Sequence, residues 1–92
     1  DALGKQAIKK ISGSVWNVFV KPLAKGDFAV AILNRSERIQ TANINFSELG
    51  LNEKYEIRDL WLHKIIGKGN NWKGTMQPHE TKVFLLKLTD KP

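Results

Sequence analysis

Reactions that need two carboxylates at a defined separation, glycoside hydrolysis and acid proteolysis among them, would draw on Asp1, Asp27, Asp59 and Asp90 with Glu37, Glu48, Glu53, Glu56 and Glu80. Most of these fall in expected turns or at chain ends, where a solvated carboxylate is the ordinary outcome. Asp59 differs, because alternation puts it on one strand face with Ile57 and Trp61. No second carboxylate converges on it, so the expectation is a buried hydrogen-bonding or ion-pairing role. His63 and His79 sit in different expected loops, without the carboxylate spacing of a metal site. Ser12, His79 and Asp59 form a nucleophilic triad only on paper, since no strained G-x-S-x-G turn supports them. Gly67-Lys68-Gly69-Asn70-Asn71 joins a glycine pair to a cation, but it lacks the spacing of a phosphate loop and no helix follows. With no Cys there is no thiolate nucleophile, thiolate metal site or disulfide framework. The residues thus point to no catalytic constellation, metal or cofactor.

The aromatic residues carry the remaining chemistry. An exposed Trp on a β-sandwich offers a flat apolar platform for the C–H face of a sugar ring. Trp16 and Trp61 lie in expected strands flanked by Val and Leu, which points to core or domain interface. Trp72 follows a polar stretch rich in Gly and Asn, and is the candidate carbohydrate-binding residue, with Tyr55 as a possible companion.

The chain that must position these groups has 92 residues, the size of one small domain. Its 41% hydrophobic and 26% charged residues match an ordinary globular balance. No apolar run approaches the roughly 20 residues of a membrane-spanning helix, so no membrane partner is expected. Fifteen Lys and Arg against nine Asp and Glu give a net charge of +6, which raises the question of a small nucleic-acid-binding barrel. The cations are scattered, however, and mostly Lys; a phosphate-tracking surface clusters them and uses Arg for bidentate contacts. A solvated basic surface without a nucleic-acid partner is the reading adopted.

Short strands separated by turns account for the whole sequence. Lys5 to Ile11 and Ser14 to Lys21 are the first two, the second closed by Pro22, which removes a ladder donor. Lys25-Gly26-Asp27 is a turn, and Phe28 to Leu33, apolar throughout, suits a strand covered on both faces. After a turn at 34–37, Gln40 to Phe46 alternates, placing Ala42, Ile44 and Phe46 on one side. Ser47 to Leu51 makes a helical turn or a loop closed by Gly50. Lys54 to Trp61 alternates again, with Tyr55, Ile57, Asp59 and Trp61 together. A short Leu62–Ile66 strand, the connection at Gly67–Asn71, a strand at Trp72–Met76, and Lys82–Leu88 complete the set. Turn signals recur every ~8–12 residues, the pattern of an antiparallel sandwich or barrel. The fold class is therefore all-β, an antiparallel Greek-key β-sandwich of about seven to eight strands in a single domain over 1–92.

Six segments in order resemble one known family. Asp1-Ala2-Leu3-Gly4-Lys5-Gln6 is similar to the D-P-L-G-x-Q segment leading out of the catalytic barrel in α-galactosidases of glycoside hydrolase family 27. Val15-Trp16 and Lys21-Pro22-Leu23 resemble that family's V-W-x-K-P-L, and Ala29 to Arg35 its A-V-A-L-x-N-R strand. Phe46 to Leu51 resembles W/F-S-D-L-G-L, Ile57 to Trp61 resembles V-R-D-L-W, and Pro78-His79 with Val83 to Leu86 resembles P-P-H-G-V-x-L-L. Departures are Ala2 for Pro, Ala7 for Gly and Glu80 for Gly; the last suggests a different turn type, since Glu tolerates positive φ poorly.

The resemblance implies the C-terminal sandwich of an α-galactosidase, with residues 1–6 as linker from a (β/α)8 barrel. In the family that barrel carries two catalytic aspartates and releases α-linked galactose with retention. No catalytic position therefore maps onto this chain, which reads as a piece of a longer enzyme and is not an enzyme by itself. Its expected partner is the barrel, with Leu3, Trp16 and Trp61 as interface candidates, and the sugar is the parent's substrate. A carbohydrate-binding module using an exposed Trp is the alternative.

Overall fold

The computed structural model describes residues 8–89, so the 1–6 linker and Leu3 lie outside the described residues. Eight strands form: β1 (Ile8–Ser12), β2 (Trp16–Pro22), β3 (Phe28–Asn34), β4 (Gln40–Asn45), β5 (Tyr55–Asp59), β6 (Lys64–Gly69), β7 (Asn71–Met76) and β8 (Thr81–Leu88). They build two antiparallel sheets, one of six strands in the order β1-β2-β3-β8-β5-β6 and one made of β4 and β7. The sandwich expected from the sequence is present. Its Greek-key character lies in β8, which returns late in the chain to pair with β3 on one side and β5 on the other.

Period-two alternation decides what each sheet turns inward. Val18 and Val20 of β2, Val30 and Ile32 of β3, Tyr55 and Ile57 of β5, and Phe84 and Leu86 of β8 meet Ala42, Ile44 and Met76 of the small sheet. Removing this apolar surface from water is the main stabilising term, at roughly 25 cal/mol per Å². Tyr55 sits edge-on to both Phe28 and Phe46, with ring centroids 6.0 Å apart in each case. Phe28 to Leu33 proves to be buried strongly on one face only, since Ala29, Ala31 and Leu33 are half-buried on the other. The expectation of a doubly covered strand is corrected accordingly.

The chain changes sheets four times, and the crossings are pinned by polar contacts. After β4, Phe46–Leu49 forms a 3₁₀ turn that buries Phe46 and Leu49, and Gly50 closes it at φ 80°. Only glycine takes that left-handed conformation without strain. Between β3 and β4, the fully buried Asn34 donates from Nδ2 to the carbonyls of Arg38 (2.9 Å), Met76 (3.3 Å) and Gln77 (3.0 Å). Its Oδ1 accepts from the Ser36 amide and hydroxyl. One side chain thus joins the end of β3 to the exits of β4's loop and of β7. At the β7–β8 turn the left-handed residue is His79, at φ 58°, rather than Glu80. Glu80 instead accepts a hydrogen bond from the Gln77 amide (2.8 Å) and pairs with Lys82 (3.2 Å).

Candidate interdomain surface

The residues singled out for chemistry are dispersed rather than convergent. Asp59 is 7% exposed and ends β5; its Oδ1 accepts the amides of Trp61 (2.8 Å) and Leu62 (3.0 Å). That is the buried hydrogen-bonding role expected for it. His79 stands in the β7–β8 turn, bonded to Glu37 (2.8 Å) on the surface. Among the described residues, no three His, Cys, Asp or Glu gather as metal ligands. Glu56 lies between cross-strand Lys68 and Lys87, and Arg58 donates to it at 2.7 Å. The Arg58 hydrogen bond, with the surrounding cations, holds the Glu56 carboxyl below its usual pKa.

The three Trp residues separate by environment. Trp72, expected to stand in the open, points inward from β7 and packs at 4.9 Å from Phe84. Its ring covers Gly74, where an added Cβ would come within 2.6 Å of the indole. Trp16 is half-buried against the core. Tyr55 is 2% exposed, which leaves no face for a sugar. Trp61, by contrast, is 78% exposed. The alternation of Lys54–Trp61 stops at Asp59, because the Asp59 side chain captures the next amides and turns the chain into a loop over 60–63. Trp61 therefore leaves the strand face it was expected to share. His63 takes φ 55° and returns the chain into β6, which runs on through Gly67 and Gly69 as an edge strand.

Trp61 stands in an exposed apolar run with Leu60 (44% exposed) and Leu62 (59%), and Ile65 (51%) follows near the start of β6. Two open clefts of about 380 Å³ each border Trp61, one with Leu60, His63 and Val83, the other with Asp59, Leu62, Glu80, Thr81 and Lys82. The cluster continues onto the outer face of the six-stranded sheet. There the register sets Phe19, Ala31 and Val83 in one row, Lys21, Ala29, Leu85, Arg58 and Ile65 in the next, and Lys87, Glu56 and Lys68 in a third. The outer face of the small sheet is the opposite in character, with Thr41, Asn43, Asn45, Asn71, Lys73 and Thr75 all exposed. The sequence reading missed Leu60, Leu62 and Ile65. A signal was present in the run Leu60-Trp61-Leu62-His63-Lys64-Ile65-Ile66 directly after a turn-capping Asp.

The small sheet thus turns a polar face outward, whereas the large sheet turns out an apolar stripe of Ala29, Ala31, Val83 and Leu85 bordered by the charged Lys21, Glu56, Arg58, Lys68 and Lys87. Residues 13–86 match the alpha galactosidase C-terminal beta sandwich domain, and the chain belongs to that family. An α-galactosidase of Oryza sativa subsp. japonica is 30% identical over 88 residues, covering 94% of this chain and 21% of that protein. An isomalto-dextranase of Arthrobacter globiformis is 34% identical over 64 residues, 67% of this chain and 10% of that protein. Among solved structures, a family 27 β-L-arabinopyranosidase from Geobacillus stearothermophilus superposes with a TM-score of 0.84 over 92% of this chain and 20% of that one; at 23% identity this shows the shared fold. The chain thus spans about a fifth of the rice relative's length or less of the others.

Proposed function

We propose that this domain is the non-catalytic accessory sandwich of a glycoside hydrolase, packed on and stabilising a catalytic barrel in the same polypeptide. The whole enzyme would hydrolyse terminal α-linked galactose with retention, the barrel supplying both catalytic carboxylates. The observation that carries this reading is the asymmetry of the two outer faces. The stripe of Ala31, Val83 and Leu85 beside the exposed Leu60, Trp61 and Leu62 is a surface suited to cover, with the charged Lys21, Arg58, Glu56, Lys68 and Lys87 at its margin, whereas the Asn/Thr face opposite suits water. A second support comes from the relatives, whose names point to three different glycosides. A module common to enzymes of such different choice is better suited to architecture than to substrate selection.

The test is galactose release from a simple α-galactoside by the full polypeptide, with the 92-residue chain as paired control. Activity in the former and none in the latter is expected. Hydrolysis by the 92-residue chain alone would overturn the accessory role, and an inert full polypeptide would overturn the substrate.

A further inference from the structure

We infer that Trp61 is the anchor by which this sandwich docks, entering an apolar recess on the catalytic domain of its own polypeptide; the inference rests on the accessory-domain reading above. An interface draws most of its strength from a few buried aromatic or Arg side chains seated in pockets, ringed by contacts that exclude water. Trp61 is the most exposed large apolar side chain among the described residues, and its exposed apolar neighbours Leu60 and Leu62 each line a cleft beside it.

Its backbone is already fixed. Asp59 Oδ1 holds the Trp61 and Leu62 amides, and the Leu60 amide donates to the Val83 carbonyl at 3.2 Å. Little ordering entropy is left to lose on docking, which is the advantage of a pre-organised contact. The clefts bordering Trp61 let a partner engage more of the side chain than one flat contact would. A sugar platform would set hydrogen-bonding side chains free beside the ring. Here the charged groups of the cleft beside Leu62 are engaged already: Glu80 pairs with Lys82 at 3.2 Å, and Asp59 Oδ1 accepts the Trp61 and Leu62 amides. The rice relative carries the remaining four fifths of its length outside this domain, ample chain to supply the cover. Because a buried indole N–H needs an acceptor, the recess must present an oxygen to Nε1 at its floor.

Hydroxyl-radical footprinting of the full polypeptide, folded and unfolded in denaturant, tests this directly. Seated in a desolvated pocket, Trp61 is expected to be modified roughly tenfold more slowly, or slower still, in the folded protein. In the full polypeptide, Trp61→Ala is expected to weaken docking by roughly 30-fold or more, the equivalent of a hot-spot truncation. Calorimetry would then show the sandwich melting apart from the catalytic domain, with Trp61→Phe intermediate and near-ultraviolet circular dichroism confirming that the sandwich still folds. Rapid modification of Trp61 with Val83 and Leu85 protected would overturn the anchor and leave the accessory reading standing. Rapid modification of all three would remove both. Protection of Trp61 only after a galacto-oligosaccharide is added would make it a sugar platform and overturn the inference.

Discussion

Replacing Asn34 by Ala removes the side chain that ties β3 to the loop before β4 and to the end of β7. The wild-type residue is 0% exposed and donates to three carbonyls, those of Arg38, Met76 and Gln77. Water can reach the Arg38 and Gln77 partners after the change, but the bond to Met76 is buried. Leaving that acceptor dry costs ~1–3 kcal/mol, and each replaced bond a further ~0.5–1.5 kcal/mol. A loss of about 3 kcal/mol follows, set against a total of roughly 5–14 kcal/mol for a chain this long. Tm should fall by about 12–24 °C. Asn34→Asp sharpens the test, because it puts a carboxylate oxygen where three carbonyls need a donor. At neutral pH it should be less stable than the Ala variant, and it should recover as acid protonates the carboxyl and restores one donor. Urea unfolding at neutral and acidic pH measures both variants. An Ala variant within about 1 kcal/mol of wild type, or an Asp variant equal to wild type at neutral pH, would refute this account of Asn34.

Other consequences are equally open to measurement. Gly74→Ala places a methyl within 2.6 Å of the Trp72 ring, so the indole must shift; a cost of ~1–3 kcal/mol in urea unfolding and a red shift of Trp emission are expected. Asp59→Ala frees the Trp61 and Leu62 amides, which should exchange hydrogen faster, and should lower stability by about 2 kcal/mol. Burial raises the Tyr55 phenol above its ordinary pKa of 10.0. The unfolded chain therefore ionises first, so this contribution is complete below about pH 10 and is lost as pH climbs toward the folded value. Tyr55→Phe should flatten that alkaline decline in the midpoint of urea unfolding.

The strands were legible because alternation is a direct imprint of burial: Ala42, Ile44 and Phe46 read as one face and occupy it. The closure at Gly50 was legible for a local reason, the residue type that positive φ favours, although a helical turn and a loop read alike before it. Trp61 was not, since its alternation with Tyr55, Ile57 and Asp59 continues formally past the point where the Asp59 carboxylate bends the chain. A side-chain-to-backbone bond leaves no periodic trace. Gly67 and Gly69 suggested a loop, yet they lie in an edge strand, where one neighbour rather than two has to be satisfied. Polar sequence neighbours favoured exposure for Trp72, yet its ring is half-buried. Its burial depends on Gly74, which makes room for the ring, and on Phe84 from a distant strand. Neither relation is visible locally.

The position of β8 bears on how the domain can be made. It holds β3 and β5 together, so until residues 81–88 are available the large sheet exists only as two separate pieces, β1-β2-β3 and β5-β6. Each piece then presents an open hydrogen-bonding edge, with Ala29, Val30, Ala31 and Ile32 along one and Tyr55 and Ile57 along the other. Such edges recruit whatever strand is nearest. Emergence of the strand from the ribosome becomes the closing event of folding, and a nick or truncation ahead of Thr81 would release two sticky half-sheets instead of a slightly weakened domain.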